Sequence, residues 1–484
     1  MGVTRSQRTA QPAVRMIGIN KSFGSVAANA DVHLSLDIGT VHGIVGENGA
    51  GKSTLMSVLY GFYAADSGSI EVFGQPVRIR NADDAIAAGI GMVHQHFMLV
   101  DTLTALENVM LGAEPHWLLR RSANEVRGKL QELMQSTGLM VELDRLVADL
   151  PVGDRQRLEI LKTLYRGAKI LILDEPTAVL TPQETEQLFE VLQRLSGQGT
   201  TIVLITHKLK EVMRLCDVVT VMRAGRVVQE VAIGEASLEL LAEAMVGRKV
   251  HIGRVEHAGA PVGQMLLVAR DIAVGDAMGV PQLSGLNLAL RAGEIVGVAG
   301  VSGNGQSELL DVLSGLIHPK SGTMRVGGQD FGPANWITPR QARRLGVAHV
   351  PEDRHARAMV MDFVAWESAV LGYEDSSLYA ASGWMLRGQM RHATAAMMEQ
   401  FDVRPRNTEL VSSKFSGGNQ QKLVLARELG QSPNVLLVGQ PTRGVDIGAI
   451  EFIYSQLRAM RGMRAVRCCW CRVSWTRSWR FQTA

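Results

Sequence analysis

The sequence predicts an α/β fold built twice, each copy with a mostly parallel sheet at its core. Three observations carry that expectation. Short apolar runs alternate with helical stretches, local motifs recur along the chain at a nearly constant offset, and Gly-rich loops follow two of the apolar runs. A parallel strand pair needs a crossover long enough to hold a helix, so alternation of strand and helix points to parallel sheets.

The strands come first. Val41–Val45, Ile170–Leu173 and Ile202–Ile205 are four- or five-residue apolar or nearly apolar runs. Runs of that length suit strands buried on both faces. The stretches Thr54–Tyr60, Glu125–Thr137 and Gln183–Leu195 read as helices. Repetition comes next. Ser67–Val72 (SGSIEV) recurs in outline as Ser321–Val326 (SGTMRV), and Gly46 recurs as Gly300, both at an offset of 254. Further on, Pro176-Thr177 recurs as Pro441-Thr442 and Gly153 as Gly418, both at an offset of 265. An offset that steps once marks a duplication with a small insertion in the second copy. The copies are placed at 14–247 and 264–461, joined by a polar linker at 248–263 and followed by a tail at 462–484.

Composition bounds the function. The chain has 484 residues, 46% hydrophobic and 20% charged, which is ample for two ordinary domains. Its formal net charge of +3 makes no case for nucleic acid. Four Cys exclude a disulfide scaffold and point to a reducing compartment. No run of 18 apolar residues exists, and the opening MGVTRSQRTAQPAV lacks the apolar core of a secretory signal. The expectation is a soluble, cytoplasmic chain able to dock on a membrane protein.

The chemistry begins at Gly46-Glu47-Asn48-Gly49-Ala50-Gly51-Lys52-Ser53, followed by Thr54, which matches GxxxxGK[ST] between an apolar strand and a helix. Its glycines let backbone N–H groups converge on phosphates, and the helix N-terminus adds the positive end of a dipole. Lys52 is expected to reach the β- and γ-phosphates and Ser53 to ligate Mg²⁺. The run Lys169–Thr177 (KILILDEPT) is a strand ending in two acids. Asp174 suits Mg²⁺ coordination and Glu175 suits polarising the attacking water. His207 follows another strand, at a distance past Glu175 that fits a γ-phosphate contact. Gln95, in Met92–Phe97 (MVHQHF), also follows a strand.

With Phe415–Lys422 (FSGGNQQK) added, the chain up to about Arg461 resembles the ATP-binding-cassette (ABC) superfamily. The FSGGNQQK form resembles the signature of monosaccharide importers with two fused ATPase domains. The resemblance implies tandem P-loop NTPase domains, each a mostly parallel sheet with a helical signature subdomain, binding ATP and Mg²⁺. It makes Phe23 an adenine-stacking aromatic and Gln95 the Q-loop glutamine, which joins Ser53 and Asp174 around the metal. It makes Ala178–Pro182 the D-loop and His207 the switch histidine, a catalytic group beside Glu175 and Lys52. Ser416, Gly417 and Gly418 would meet a γ-phosphate held by the other domain.

The copies are unequal. In the second, the phosphate loop reads Gly300–Ser307 (GVSGNGQS), with Gln306 in place of the lysine. Gly439 and Gln440 replace the acids of the strand end, and Glu352 stands at the Q-loop position. In the first copy the signature is altered to Leu150–Asp154 (LPVGD), with Pro151 in place of Ser. Head-to-tail pairing, implied by the resemblance, gives one site with Lys52, Ser53, Asp174, Glu175, His207 and Ser416–Gly418 intact, and one degenerate site.

The expected function is ATP-driven import of a nucleoside or simple sugar, working with two transmembrane permease subunits and an extracytoplasmic binding protein at the cytoplasmic face of the inner membrane. A soluble twin-cassette ATPase acting on ribosomes or DNA is the alternative, which the degenerate site, short linker and near-neutral charge disfavour. An inactive truncated subunit is the third reading. It rests on the tail, where Cys468, Cys469, Cys471, Trp470, Trp475 and Trp479 crowd among arginines. A Cys-Cys-Trp-Cys cluster without a nearby His is poor zinc spacing. Cys codons are TGY and the Trp codon is TGG, so Cys468-Cys469-Trp470-Cys471 read one frame over gives Leu-Leu-Val with no freedom. The expectation is a frameshift near Arg461–Gly462, with no strand or switch equivalent visible after Gly439.

Overall fold

The structure is a computed structural model that describes residues 12–24, 26–95, 97–113, 119–249, 263–276, 278–300, 303–442, 444–445, 447–462 and 468–472. The chain divides into two compact units, Met1–Val250 and His251–Ala484. Most of the expected linker at 248–263 and of the expected tail at 462–484 lies outside the described residues.

In the first unit a six-stranded sheet carries, in spatial order, Arg226–Ala232, Val218–Arg223, Val41–Val45, Thr201–Ile205, Ile170–Asp174 and Ile90–Val93. The last five are parallel, and Arg226–Ala232 closes the edge antiparallel to Val218–Arg223. The three apolar runs read from the sequence are thus neighbours, and each is buried on both faces except at Asp174. A second, antiparallel sheet orders Val26–Asp37, Pro12–Phe23, Ser67–Val72 and Gln75–Val77. Between the sheets, helix Lys52–Tyr60 drives Leu55, Met56, Val58 and Leu59 into a core shared with Val14, Leu36, Ile44, Ile172 and Val203. Burying one such side chain contributes about 1.5–3 kcal/mol, so the helix that follows the Gly-rich loop is anchored by its apolar face. Helix Leu119–Thr137 begins earlier than the sequence pattern indicates, and helix Pro182–Gly197 starts at a Thr181 capping box with proline in its first turn.

The second unit repeats the plan. Its antiparallel sheet orders Pro281–Arg291, Met265–Gly275, Ser321–Val326 and Gln329–Phe331. Its parallel sheet orders Ile295–Ala299, Cys468–Arg472, Val435–Gly439 and Val347–Val350. Helices Arg387–Gln400 and Gly417–Leu429 pack Met398, Leu423, Val424 and Leu425 into a further core with Phe401 and Val438.

One expectation is corrected here. A strand does follow Gly439: Cys468–Arg472 pairs parallel with both Ile295–Ala299 and Val435–Gly439. Thr201–Ile205 fills the same place in the first sheet, between Val41–Val45 and Ile170–Asp174. The ladder is made by backbone N–H and C=O groups, which every non-proline residue carries, and aromatic residues favour strands. A Cys/Trp composition therefore pairs where an aliphatic one is customary. The counterpart of His207 would fall beyond Arg472, outside the described residues.

Candidate active site

The first unit builds its site on the ends of three adjacent strands. Val41–Val45 leads into the Gly46–Gly51 loop, which leads into helix Lys52–Tyr60. Gly49 and Gly51 have φ of 82° and 95°, a region that side-chain-bearing residues avoid. Gly51 is the N-cap and has no side-chain cap, so the first N–H groups of the helix stay directed at the loop. A Cβ on Gly51 would run into the Ala28 carbonyl, and one on Gly46 would come within 2.9 Å of Ala50 Cβ. The loop is held from outside by buried Asn29, whose Nδ2 donates to the Gly51 carbonyl at 3.1 Å. Gly225 N donates to the Ala50 carbonyl at 3.1 Å.

Lys52 is only 6% exposed, and its Nζ donates to the carbonyls of Gly46 at 2.8 Å and Glu47 at 2.9 Å. A buried ammonium curled over a concave loop, with a helix N-terminus beneath it, fits the oxyanions of a phosphate chain. Ser53, next on the helix, hydrogen-bonds Asp174. A hydroxyl and a carboxylate in that arrangement fit a hard divalent cation such as Mg²⁺.

Asp174 ends its strand in register with Ile205. Burial raises its pKa above the usual carboxylate range; the Ser53 hydrogen bond opposes this, the Glu175 charge adds to it, and Lys52 opposes it. Glu175 follows with φ 47°, a left-handed conformation rare for a residue with a side chain. It is fixed by its N–H, which donates to the Ile205 carbonyl at 2.9 Å. That turn aims the side chain at the next strand end, where His207 Nδ1 donates to Glu175 Oε1 at 2.7 Å. Burial opposes ionisation of Glu175, but the His207 bond and charge, aided by Lys52 and Lys208, outweigh it and hold the carboxyl below its ordinary range. Lys208 itself is tied to Thr177, with Nζ 2.9 Å from both its carbonyl and its hydroxyl.

The remaining expected residues stand nearby in sequence order. Phe23 ends the strand Pro12–Phe23, 44% exposed, with its ring edge-to-face against Tyr63 at 5.0 Å and Lys21 Nζ 5.6 Å from its centroid. Tyr63, 43% exposed, makes this an aromatic pair. Gln95 is exposed in the bend directly after Ile90–Val93. Ala178 follows the Glu175 turn, its N–H donating to the Glu175 carbonyl at 3.1 Å, and Pro182 opens the next helix. Asn29 and Tyr63 escape sequence reasoning because no motif includes them; an exposed aromatic shortly after a phosphate-loop helix was the available signal for Tyr63.

The second unit forms the same scaffold with different chemistry. Gly303 and Gly305 both have φ 87°, and Gly305 caps helix Gln306–Leu313. Gln306 is 6% exposed, as Lys52 is, and its amide nitrogen folds against Gly300. Gln440 has φ 37° and so keeps the unusual backbone of Glu175 without its carboxylate. Glu352 fills the space between: Ser307 Oγ donates to its Oε2 at 2.9 Å, and Gln440 Nε2 donates to its Oε1. In the same unit Ser416 is the N-cap of helix Gly417–Leu429, with Asn419 Nδ2 donating to its Oγ at 2.9 Å. Gly418 is buried, and a Cβ on Gly417 would lie 2.7 Å from Arg354 Nη2. In the first unit the matching helix Val152–Tyr165 has Pro151 as its N-cap and no side-chain cap. The structure thus gathers Lys52, Ser53, Asp174, Glu175 and His207 within the first unit, and carries Ser416–Gly418 in the second.

Among the described residues no helix is long and apolar enough to cross a membrane. The family model "ABC transporter" matches residues 30–178 and again 283–443. The chain is 42% identical over 447 residues to the nucleoside import ATP-binding protein NupA of Lactococcus lactis, covering 92% of this chain and 88% of that protein. It is 42% identical to the guanosine import ATP-binding protein NupO of Bacillus subtilis, covering 93% and 87%. It is also 42% identical to the glucose import ATP-binding protein TsgD13 of Haloferax volcanii, covering 92% and 86%.

Proposed function

Because the chain belongs to the ABC transporter family and is an ATPase of that family with two cassettes, we propose that it powers import of a nucleoside or simple sugar through separate membrane permease subunits. Supporting the reading is the Lys52–Ser53–Asp174–Glu175–His207 constellation, in a chain whose relatives are named for nucleoside and sugar import. Nucleosides are favoured as cargo because two relatives at 42% identity carry that name. Two permeases and an extracytoplasmic binding protein complete the proposal, which places the chain peripherally at the inner face of the membrane.

The surroundings support the roles of the Gly46–Gly51 loop, Lys52, Ser53, Asp174, Glu175 and His207, and the family resemblance supplies those of Phe23, Gln95 and Ser416–Gly418. The Gly46–Gly51 loop and Lys52 bind the phosphate chain and offset its charge. Ser53 and Asp174, joined through the family resemblance by Gln95, would hold Mg²⁺, which would supply charge neutralisation on the β- and γ-phosphates. Glu175, ionised at neutral pH, accepts the proton of the attacking water on Oε2 while His207 orients it through Oε1. Phe23, paired with Tyr63, stacks on adenine. By the head-to-tail pairing of the family resemblance, Ser416, Gly417 and Gly418 supply the γ-phosphate contacts for this site, so one site hydrolyses and the other does not.

The test is uptake. Replacing the chromosomal gene with the Glu175→Gln variant should abolish uptake of labelled nucleosides, or failing that of labelled pentose or hexose, while the protein still binds ATP. Unchanged uptake of all three would refute the import reading. Co-purification of the wild-type chain with ribosomes in place of permeases would favour the soluble twin-cassette alternative.

The tail carries a second proposal: a frameshift near Arg461–Gly462. It is supported by the position of Cys468–Arg472, a sheet strand where the shifted frame spells Leu-Leu-Val. Resequencing the locus tests it; if no single-base change opens a frame beyond Ala484, it fails.

A further inference from the structure

The two signature turns differ by more than the serine that opens one of them. In the second unit Gly417 follows Ser416, and Arg354 stands four residues past strand Val347–Val350. In the first unit Val152 follows Pro151, and Phe97 stands four residues past strand Ile90–Val93. The exchange is sterically paired. A Cβ on Gly417 would lie 2.7 Å from Arg354 Nη2 and 2.8 Å from the Gly444 carbonyl oxygen, so the guanidinium fills the space that a side chain would need. Its Nη2 and Nη1 also lie 3.8 and 3.9 Å from where a Cβ on Gly444 would stand. The partly exposed Arg354 thus sits at the opening of helix Gly417–Leu429, between the signature turn and the turn after strand Val435–Gly439. Gln420 sets its orientation. This side chain is 4% exposed, and its Oε1 accepts from Arg354 Nε at 3.1 Å and from His355 Nε2 at 2.9 Å. Its Nε2 donates to the Ser412 carbonyl at 3.1 Å. With Nε held by the helix, the two Nη groups are directed at the glycines. The first unit has no such receiver: Arg155 stands in place of Gln420 and spends its guanidinium on the carbonyls of Leu150 and Ala148.

Given the head-to-tail pairing proposed above, on which this inference rests, we propose that Arg354 is a phosphate-binding residue of the signature surface, presenting a fixed guanidinium to the terminal phosphate of a nucleoside triphosphate beside Ser416 and the Gly417 and Gly418 amides. A helix N-terminus offers an anion only about half a positive charge. A guanidinium adds a full one that no ordinary pH removes, in a fork that matches phosphate oxygens. Glycine at 417 is what lets that charge come so close to the turn. With Val152 and Phe97 at the matching places, the first unit's turn carries no such charge, so the arginine accompanies the intact signature and is absent from the altered one.

The test compares a non-hydrolysable ATP analogue with ADP on the full chain, counting the binding that Lys52→Ala removes. Arg354→Gln should weaken analogue binding about tenfold and leave ADP binding unchanged, because only the triphosphate carries the phosphate that meets the guanidinium. Arg354→Lys keeps the charge without the fork and should recover part of that loss. Steady-state phosphate release should fall about tenfold or more in Arg354→Gln, and less in Arg354→Lys. An unchanged ratio of the two affinities in Arg354→Gln overturns the proposal, since a purely structural role would move both alike. So does an Arg354→Lys chain no better than Arg354→Gln. Ser416→Pro, which installs the first unit's residue, tests the pairing itself. Unchanged phosphate release in that variant would remove the head-to-tail reading. Lost release there, with Arg354→Gln behaving as the parent, would remove the role of Arg354 alone.

Discussion

The two cassettes share a backbone and differ in charge. Both curl a Gly-rich loop onto a helix capped by a left-handed glycine, and both place a non-glycine residue at positive φ directly after a parallel strand: Glu175 at 47° after Ile170–Asp174 and Gln440 at 37° after Val435–Gly439. Both bury the side chain that opens the helix, Lys52 or Gln306, to 6% exposure. What separates them is a small set of side chains. The first has a buried ammonium over its Gly-rich loop, a carboxylate beside Ser53, and a Glu–His pair at 2.7 Å. The second has an amide, a relocated carboxylate and a carboxamide. A strained turn outlasting its carboxylate shows that scaffold and chemistry are held by different forces: packing and backbone hydrogen bonds for the first, a handful of ionisable groups for the second.

The largest expected contrast is catalytic. Glu175→Gln should lower ATPase kcat by about 10²-fold or more, with nucleotide binding little changed, because a general base contributes on that scale. Gln440→Ala should change kcat within about twofold, since there is no base to lose. Steady-state phosphate release checks both. Equal losses from the two variants would sink the asymmetric reading.

His207→Ala should cost less than Glu175→Gln, because the carboxylate remains. Its mark is in pH. The His207 bond and charge are the strongest of the influences holding the Glu175 carboxyl down against burial. Without them the pKa rises, so the acid limb of the ATPase profile should move to higher pH. An unmoved acid limb would show that His207 does not act through Glu175.

Gly439→Asp probes the second cassette from the other side. Restoring the aspartate of the first copy should not restore its chemistry, because the new Cβ meets Glu352 N at 2.8 Å. Forcing backbone apart should cost about 2 kcal/mol in the stability of this unit, read by urea denaturation. A variant as stable as the parent would mean that the Glu352 segment moves freely.

Much of this contrast was legible in the sequence, and the rest was hidden for identifiable reasons. Val41–Val45, Ile170–Asp174 and Thr201–Ile205 announce themselves because strands buried on both faces have little room for polar residues. Gly46–Ser53 and Asp174-Glu175 were legible because their spacing is local. Asn29 holding Gly51 from 22 residues away, and Glu352 reaching Ser307 across 45, are contacts that only the fold creates. The strand Cys468–Arg472 was missed because composition spoke against it while the backbone ladder did not depend on composition.

The smallest expected effect asks whether the cores are as alike as the scaffolds. Each sheet carries a histidine in a strand: buried His42 in Val41–Val45 and partly buried His349 in Val347–Val350. Burial lowers both pKa values to about 4; at His349 the Glu428 charge opposes the shift and Arg357 and Arg343 add to it. His42 in its neutral form is bonded to Thr220 Oγ1 at 2.8 Å. With an unfolded value near 6.5, the unfolded chain takes up a proton at each histidine between about pH 6.5 and 4 while the folded chain does not. Stability is therefore full above about pH 6.5 and falls as pH drops toward 4, by about 2 kcal/mol per histidine at pH 5. Denaturant midpoints at pH 7.5 and pH 5 should diverge accordingly, and His42→Gln or His349→Gln should each shrink the gap by about that amount. Equal shrinkage would mean the two interiors are protected from water alike, and that the divergence of the cassettes stops at the site. A gap that only His42→Gln closes would mean that water reaches His349, and that the loss of chemistry in the second cassette has spread into its core.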